Sequence, residues 1–496
     1  MNRETTRRDF MKHSALAGLG LAATGCNRTQ IAKTTSTDRG RPNFVFVMTD
    51  DQAWNTMSCA GHPIVKTPNM DRLAAEGVYF ENAFVTTSLC SPSRASFLSG
   101  VHAHIHGVVG NGIMELPPEI SSYPALLQRS GYETAFIGKW HQNTDKNPNP
   151  RPGFDYWLSF RGQGVYENPM LNLNGEDFRQ EGFMTDILAD YAVQWLQQPR
   201  SKPFSLCLWH KAVHQPFTAA PRHKGVYANA VLPEPQNFRD EYADKPEWLR
   251  RIRTYPPRRK EYLQNLDKPV PERVPQTEWK GSAPERLAYL ESLISVDESL
   301  GRVLNTLEGM GQLENTVVVF ASDNGYFLGD HRLGDKRLIY EESLRIPLLI
   351  RYPKRFKPAT KVNGMALNID IAPTFLELAQ VATTARMQGI SLVPLMEGSM
   401  ERVRDSFLYT YFREEWHPGI PLIQCVRTER YKYARYPDVN DIEELYDLEN
   451  DPGELRNLAV LPEFNGLKQQ MQRRLEELLE KADYPKDAQL GSPPVR

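Results

Sequence analysis

The sequence predicts an α/β fold with a large, mostly parallel β-sheet covered by helices on both faces, followed by a smaller C-terminal α+β subdomain. In residues 41–400, short apolar runs typical of buried strands alternate with longer segments whose apolar residues recur at helical spacing. This alternation is typical of parallel sheets, because a crossover helix must return the chain between consecutive strands. In residues 401–496 the strands are short and follow one another closely, which indicates an antiparallel sheet.

The predicted elements can be placed in chain order. Strands are expected at residues 43–49, 132–137, 204–209, 316–321 and 347–352, and helices at 69–76, 185–197, 283–309 and 369–379. The C-terminal part is expected to hold strands at 407–412, 423–428 and 431–436, a turn at 449–454 and a charged helix at 464–481.

Residues 225–283 interrupt the alternation. They are rich in Pro, Arg, Lys, Glu and Tyr and show little apolar periodicity. Two interpretations stay open at this stage. The segment is either a solvated surface excursion or an insertion that forms part of the rim of a substrate site.

The composition excludes some classes of partner. The formal net charge is -2 and the isoelectric point is about 6.6, so no nucleic-acid partner is expected. The 496 residues, of which 40% are hydrophobic, suffice for a large core. Beyond residue 25, no apolar run is long enough to span a bilayer.

The first 25 residues have the features of an export signal. Arg7 and Arg8 lie in a twin-arginine pattern, an apolar stretch follows, and Gly25-Cys26 is typical of a lipoprotein processing site. Residues 26–40 are polar and are expected to be a tether. This predicts a periplasmic or cell-surface protein, with a lipid anchor at Cys26 as its contact with the membrane. The alternative is ordinary cleavage near Ala23, with Cys26 incidental.

Acidic residues follow two of the predicted strands directly. Asp50 and Asp51 come after strand 43–49, and Asp323 and Asn324 come after strand 316–321. Carboxylates at neighbouring strand ends repel each other unless a cation joins them, and oxygen ligands suit Ca²⁺ or Mg²⁺ better than zinc. A solvated turn or a helix cap is the alternative for the Asp-Asp pair.

The sequence Cys90-Ser91-Pro92-Ser93-Arg94 contains the pattern C-x-P-x-R. It resembles the signature of the sulfatases, in which a maturation enzyme oxidises the cysteine to formylglycine. That resemblance implies a hydrated aldehyde, a gem-diol, one of whose oxygens attacks the sulfur of a sulfate ester. Arg94 would place a fixed cation beside the anionic groups. The alternative is an ordinary buried cysteine at a helix start.

The resemblance to formylglycine-dependent sulfatases extends over residues 43–458. The motifs TDDQ, CSPSR, GKWH, HKAVHQPF, SDNG and GDKR occur in the family's order. The resemblance implies the alkaline-phosphatase-like fold and a calcium ion, with magnesium as the lesser candidate. Its implied ligands are Asp50, Asp51, Asp323, Asn324 and the modified Cys90. Its further catalytic residues would be Arg94, Lys139 and His141 at the sulfate and formylglycine, with His214 and Lys336 at the leaving-group oxygen.

The substrate implied by the resemblance is a sulfated carbohydrate, and residues 335–353 are similar to the N-acetylglucosamine-6-sulfatase type. A formylglycine-generating or radical sulfatase-maturating enzyme is the implied partner. Arg413, Trp416 and His417 are candidate rim residues, although Trp416 could instead pack between subdomains. Two alternatives remain: a phosphate or phosphonate monoester hydrolase of the same fold, and a non-catalytic lipoprotein that binds sulfated glycans.

The chain has five cysteines, and two of them have been given functions above. Cys207 lies in an apolar run and is expected in the core. Whether Cys59 and Cys425 form a disulfide is left open by the sequence.

Overall fold

The computed structural model describes residues 40–111, 114–255, 259–274 and 283–485. The predicted export signal, nearly all of the predicted tether and Cys26 lie outside the described residues. Across the ranges that are described, no helix combines the length and the apolar character needed to cross a membrane.

The strands in these ranges are β1 Asn43–Thr49, β2 Val78–Phe80, β3 Ala83–Phe84, β4 Glu133–Gly138, β5 Tyr156–Ser159, β6 Met170–Leu173, β7 Glu176–Arg179, β8 Phe204–Trp209, β9 Thr316–Ser322, β10 Leu348–Arg351, β11 Thr360–Val362, β12 Ala366–Leu367, β13 Ser406–Tyr411, β14 Ile423–Thr428, β15 Tyr431–Arg435 and β16 Glu444–Asp447. The helices are Pro68–Glu76, Cys90–Ser99, Ala103–His106, Tyr123–Arg129, Met184–Leu196, Glu247–Thr254, Arg259–Gln264, Ala283–Gly309, Glu341–Leu344, Ile371–Leu378, Val393–Met396 and Asn465–Lys481.

The large sheet has the order β11-β2-β10-β9-β1-β8-β4-β5-β6-β7. Its centre is parallel, because β1 pairs parallel with both β8 and β9, and β8 pairs parallel with β4. Strand β10 runs antiparallel to β9, and β5, β6 and β7 form an antiparallel extension. The predicted fold class, a mostly parallel sheet between helices, is confirmed.

Alternation along β1 explains why helices cover both faces of the sheet. Val45 and Val47 belong to the core cluster that includes helix Ala283–Gly309, while Phe44 and Phe46 belong to the cluster on the opposite face. All of these side chains are fully buried. Successive side chains of a strand point to opposite faces, and burying each one contributes about 1.5–3 kcal/mol.

The C-terminal sheet has the antiparallel order β13-β14-β15-β16, and helix Asn465–Lys481 packs on one face of it. The fourth strand, Glu444–Asp447, was not predicted as a strand, since its short run leads directly into a turn. The predicted strands 407–412, 423–428 and 431–436 are confirmed to within a residue at each end.

Part of segment 225–283 is integral to the core. Tyr242, Trp248 and Leu249 are buried, and the Trp248 ring lies 5.1 Å from that of Tyr436 in the C-terminal sheet. The interpretation of the segment as a solvated excursion is therefore wrong for these residues. Trp248 and Leu249 form the buried face of the short helix Glu247–Thr254, which the polar composition of the whole segment concealed.

The described cysteines are all unpaired. Cys207 is buried in β8, as predicted from its apolar run. Cys59 and Cys425 form no disulfide with each other, which answers the question that the sequence left open.

Candidate active site

The two acidic pairs, Asp50-Asp51 and Asp323-Asn324, lie next to each other where the parallel strands of the large sheet have their C-terminal ends (the carboxyl edge). The register of β1 and β9 places Thr49 beside Ser322, so the residues that follow each strand are neighbours. The backbone N–H of Asp51 donates to Asp323 Oδ1 at 3.1 Å, and Asp51 adopts a φ of 62°. This left-handed conformation, rare for residues other than glycine, turns the chain sharply at the strand end.

Three buried carboxylates face one another at this edge. Oxygen atoms of Asp50, Asp51 and Asp323 lie within 4.8 Å of one another. Asn324 donates from Nδ2 to Asp51 Oδ1 at 2.7 Å, while its own Oδ1 is buried without a hydrogen-bond partner. Burial and the neighbouring Asp50 raise the pKa of Asp323 to about 7. Such a cluster matches the donor set of a hard divalent cation.

Cys90 is the first residue of helix Cys90–Ser99, in which every residue is buried. Its Sγ donates to Asp50 Oδ1 at 3.5 Å, and the ligand atoms of Asp50, Cys90 and His214 also lie within 4.8 Å of one another. Burial raises the pKa of the Cys90 thiol well above its ordinary value. The unmodified side chain is therefore a protonated thiol at neutral pH, which is a weak nucleophile.

Two cationic side chains, Arg94 and Lys139, bind the carboxylates of Asp50 and Asp323. Arg94 donates from Nε to Asp323 Oδ2 at 2.9 Å, and its Nη2 lies 3.7 Å from Asp50 Oδ2. Lys139, directly after β4, donates from Nζ to Asp50. Burial alone raises the pKa of Asp50, but Lys139, together with His214 and Arg94, brings it well below the ordinary value. Asp50 is therefore ionised.

The two candidate groups for the leaving-group side lie against Asp51. Lys336 Nζ donates to Asp51 Oδ1 at 2.6 Å, and His214 Nε2 lies 3.8 Å from Asp51 Oδ2. The other ring nitrogen of His214 bonds the Gln215 carbonyl at 2.8 Å. Burial, followed by Lys139, lowers the pKa of His214 to about 4.

The histidine four residues earlier is directed elsewhere. His210 is fully buried, and its Nε2 bonds the Ser299 hydroxyl at 3.1 Å. Of the two histidines in the motif, His214 is the one that lies against the carboxylate cluster.

His141 is joined to Lys139 through a residue that the sequence did not indicate. Gln163 bonds His141 Nε2 at 3.0 Å through its amide nitrogen, and its Oε1 accepts from Lys139 Nζ at 2.6 Å. His141 has a φ of 62°, is buried, and has a pKa lowered well below the ordinary value, chiefly by burial.

The structure brings all of the predicted site residues together around the carboxyl edge. Sequence reasoning missed Gln163, Asn111 and Lys211. Asn111 lies at the site because its Oδ1 accepts from the backbone N–H of Ser91, next to Cys90, at 2.9 Å. Gln163 and Asn111 lie in loops without a motif, so no sequence signal could identify them. Lys211 lies inside the motif HKAVHQPF, where its amine is 4.7 Å from the centre of the Tyr166 ring. Burial lowers the pKa of Lys211 to about 8.

The fold and the site define a hydrolase of the alkaline-phosphatase-like class. The chain belongs to the sulfatase family and is a sulfuric ester hydrolase: the family profile "Sulfatase" matches residues 42–381. A second profile, "N-sulphoglucosamine sulphohydrolase, C-terminal", matches residues 329–481. The resemblance stated from the motifs is thereby confirmed.

Two of the curated relatives that the chain resembles are named N-acetylglucosamine-6-sulfatases. The chain is 34% identical to an N-acetylglucosamine-6-O-sulfatase of Bacteroides thetaiotaomicron, over 93% of this chain and 89% of that protein. It is 29% identical to the human N-acetylglucosamine-6-sulfatase, over 86% of this chain and 83% of that protein.

Solved structures share the fold. One protein, solved in complex with its substrate D-glucosamine-2-N,6-O-disulfate, superposes with a TM-score of 0.78 at 33% identity, covering 90% of this chain and 99% of its own. The phosphonate monoester hydrolase of Agrobacterium radiobacter superposes with a TM-score of 0.71 at 22% identity, covering 89% of this chain and 96% of its own. At that identity the likeness shows the fold alone.

Proposed function

We propose that this sulfatase removes the 6-O-sulfate from a terminal glucosamine or N-acetylglucosamine unit of a sulfated glycan, using formylglycine formed at Cys90 and a calcium ion. The observation that carries the proposal is the position of Cys90. It opens a buried helix with its Sγ 3.5 Å from Asp50, among buried carboxylates and fixed cations. An oxygen nucleophile formed there would be adjacent to a site for a divalent cation and an anion.

The chain's residues fit a calcium ion. Asp50, Asp51 and Asp323 offer carboxylate oxygens, and the buried Asn324 Oδ1 has no hydrogen-bond partner, so its lone pairs are free for an ion. Calcium takes roughly six to eight oxygen ligands in flexible geometry, whereas magnesium demands a near-ideal octahedron. The modified Cys90 is the proposed further ligand. A bound ion would neutralise the carboxylates and withdraw charge from the sulfate oxygens.

The nucleophile and the sulfate depend on two fixed cations. Conversion of Cys90 would replace a protonated thiol with an aldehyde whose hydrate offers an oxygen nucleophile. Arg94 is held by Asp323, and Lys139 is held by Asp50 and Gln163, so both charges are fixed before a substrate arrives. Preorganised cations stabilise the charge that develops on sulfate oxygens without a cost of reorganisation.

The leaving oxygen has two candidate partners. Burial, the largest single effect, lowers the pKa of Lys336, but Asp51 and the other acidic groups around it together raise that pKa well above its ordinary value. Lys336 therefore stays charged and would stabilise negative charge on the bridging oxygen. His214 bonds the Gln215 carbonyl through Nδ1, which leaves its Nε2 facing the cluster. Because burial lowers its pKa to about 4 in the free protein, His214 would have to take up a second proton, at Nε2, when the anionic sulfate binds beside it, and could then deliver that proton to the leaving alcohol.

The proposed substrate position rests on the relatives. The relative from Bacteroides thetaiotaomicron is named for 6-O-sulfated N-acetylglucosamine, and the structure with TM-score 0.78 holds a 6-O-sulfated glucosamine. Both resemble this chain over nine-tenths of its length or more. We propose the same sugar and sulfate position here, with the unit taken from the chain end.

Export is the second part of the proposal. The twin-arginine pattern and Cys26 would deliver the enzyme to the periplasm or the cell surface, where large sulfated polymers are met. A formylglycine-generating or radical maturase would act on residues 90–94 before or during export. Mass spectrometry of the N-terminal peptide from a native host would report whether Cys26 carries a lipid.

The experiment that tests the function is a panel of defined sulfated sugars with chromatographic detection of free sulfate. We expect release from 6-O-sulfated glucosamine and N-acetylglucosamine, and little from 2-O-, 3-O- or 4-O-sulfated sugars. Release only from aryl sulfates would contradict the glycan assignment. Faster turnover of an aryl phosphonate than of any sulfate ester would favour the phosphonate hydrolase alternative. Binding without turnover, with Cys90 unmodified, would favour the non-catalytic lipoprotein.

A further inference from the structure

The helix that presents Cys90 lacks the usual cap on its first turn. Its N-cap residue is Leu89, which has no side-chain oxygen to accept a hydrogen bond from the first turn. The acceptor comes instead from a distant loop, because Asn111 Oδ1 accepts from the backbone N–H of Ser91 at 2.9 Å. Asn111 therefore caps the first turn of the helix that presents Cys90.

The turn that presents Lys336 is strained on both sides. Asp335 has a φ of 80° and Arg337 a φ of 86°, conformations that residues other than glycine rarely adopt. Such a backbone persists only where surrounding contacts fix it. The Tyr409 hydroxyl donates to the Arg337 carbonyl at 2.6 Å and supplies one of these contacts.

Glu414, which lies between β13 and β14 of the C-terminal sheet, reaches both features. Its Oε1 accepts from the backbone N–H of Asn111 at 3.1 Å, and its Oε2 accepts from Arg337 Nε at 2.7 Å. The Tyr411 hydroxyl also donates to Oε2, at 2.8 Å. The carboxylate is 7% exposed. A Cβ added at Gly110 would come within 3.5 Å of the Glu414 side chain, which shows how closely the loop approaches it.

We propose that Glu414 is a positioning residue that fixes the position of the Cys90 helix relative to the turn that carries Lys336. This rests on the proposed function, in which the two residues act on opposite ends of the same sulfur–oxygen bond. One buried carboxylate fixes a contact next to each of them, through Asn111 on one side and Arg337 on the other. Small displacements of reacting groups are costly in rate, so a link of this kind matters for turnover.

The first test is Glu414→Gln. The amide has the same size, but it cannot accept from Asn111, Arg337 and Tyr411 as the carboxylate does. We expect kcat to fall by about tenfold to a hundredfold, with KM changed by less than about threefold. Glu444→Gln is the matched control, because Glu444 is also buried in the C-terminal sheet and bonded to tyrosine hydroxyls. It should leave kcat within about twofold of wild type.

The second test does not depend on activity. Amide hydrogen exchange of the peptide that contains Ser91 should become faster in Glu414→Gln, although Glu414 does not contact Ser91, and should be unchanged in Glu444→Gln. Asn111→Ala should give the same acceleration. In the double variant, exchange at Ser91 should be no faster than in Asn111→Ala, because Glu414 acts on Ser91 only through Asn111. Exchange at wild-type rates in Glu414→Gln would overturn the proposal.

Failure of the proposed function and failure of the positioning role of Glu414 give different results in these tests. If the wild-type enzyme releases no sulfate from any ester, the proposed function fails, while the exchange test still decides whether Glu414 holds the cap. If the wild type is active and Glu414→Gln retains its kcat, the positioning role fails alone. Should Glu414→Gln not fold, Tyr411→Phe removes one hydrogen bond from the same carboxylate. It should then give a smaller acceleration at Ser91, and wild-type exchange there would overturn the proposal.

Discussion

Lys336 donates hydrogen bonds from Nζ to both carboxylate oxygens of Asp51, at 2.6 and 2.7 Å, in a site where both side chains are buried. Asp51 comes from the end of β1 and Lys336 from the loop after β9, 285 residues later. A buried ion pair of this kind contributes little net stability, because desolvation offsets much of its attraction. The proposed calcium ion would share Asp51 with this lysine.

Lys336→Met should therefore lower kcat by about a hundredfold or more while calcium binding is retained. The methionine keeps the length of the side chain but removes the charge that would stabilise the leaving oxygen. Steady-state kinetics and calorimetric calcium titration would measure the two effects. Lys361→Met is the control, since Lys361 is largely exposed and pairs with Glu81. A loss of calcium binding equal to the loss of activity would show that Lys336 serves the ion site instead.

Cys90 should be found as formylglycine when the protein is produced with a maturation enzyme. Peptide mass spectrometry of the segment containing residues 90–94 should show the aldehyde in place of the thiol. Cys90→Ser gives the control in hosts whose maturase accepts only cysteine, and it should be inactive there. Full activity in Cys90→Ala would contradict the assignment of the nucleophile.

Removal of calcium should abolish sulfate release, and added calcium should restore it. Asp51→Asn keeps the size of the side chain but removes one negative charge from the cluster, so it should weaken calcium binding and lower activity by about a hundredfold or more. Thermal unfolding with and without calcium gives a second readout, because an ion that binds only the folded state raises the melting temperature. Normal turnover by exhaustively chelated protein would contradict the metal assignment.

The central sheet and the cluster of acidic residues at its strand ends could be predicted, because both follow from local sequence. Strand β1 is a continuous apolar run that ends directly at Asp50 and Asp51, and β9 ends in the same way before Asp323. Parallel strands bring such ends to one edge, so the cluster follows from the alternation of elements.

Contacts between distant loops could not be predicted. Gln163 joins Lys139 to His141 from a loop with no motif, and Asn111 caps a helix whose own N-cap residue cannot. Strand Glu444–Asp447 was missed because its four residues are stabilised by pairing with β15 and carry little propensity of their own.

Stability should decline in mild acid, in part through His106. Burial, with a smaller effect of His104, lowers the pKa of His106 to about 3. Below about pH 6.5, His106 is therefore protonated in the unfolded chain but stays neutral in the folded protein. The free energy of unfolding then falls as the pH drops from about 6.5 toward 3, by roughly 1 kcal/mol per pH unit. His106→Gln should make this decline shallower in urea titrations. Parallel curves for variant and wild type would contradict the assignment.

Trp416 should contribute to binding of the glycan. The alternative of interdomain packing is wrong, because the side chain is 65% exposed. It lies two residues after Glu414, and burial, followed by the charge of Arg337, lowers the pKa of the adjacent His417 to about 4, against the opposing effect of Asp335. His417 is therefore close to the strained turn of Lys336. We expect the exposed indole next to it in the chain to lie at the rim of the proposed site, where an aromatic face can stack on a sugar ring.

Trp416→Ala should raise KM for a 6-sulfated disaccharide by about tenfold, because a lost stacking contact costs on the order of 1 kcal/mol or more. Turnover of a small aryl sulfate should stay within about twofold of wild type, since that substrate does not extend to the rim. Val231→Ala is the control, because Val231 is an apolar side chain that is even more exposed, at 90%, in the other candidate rim segment. If Val231→Ala and Trp416→Ala change KM for the disaccharide equally, the effect is not specific to the indole. If KM for the disaccharide and for the aryl sulfate rise together in Trp416→Ala, the residue supports the catalytic site rather than the sugar.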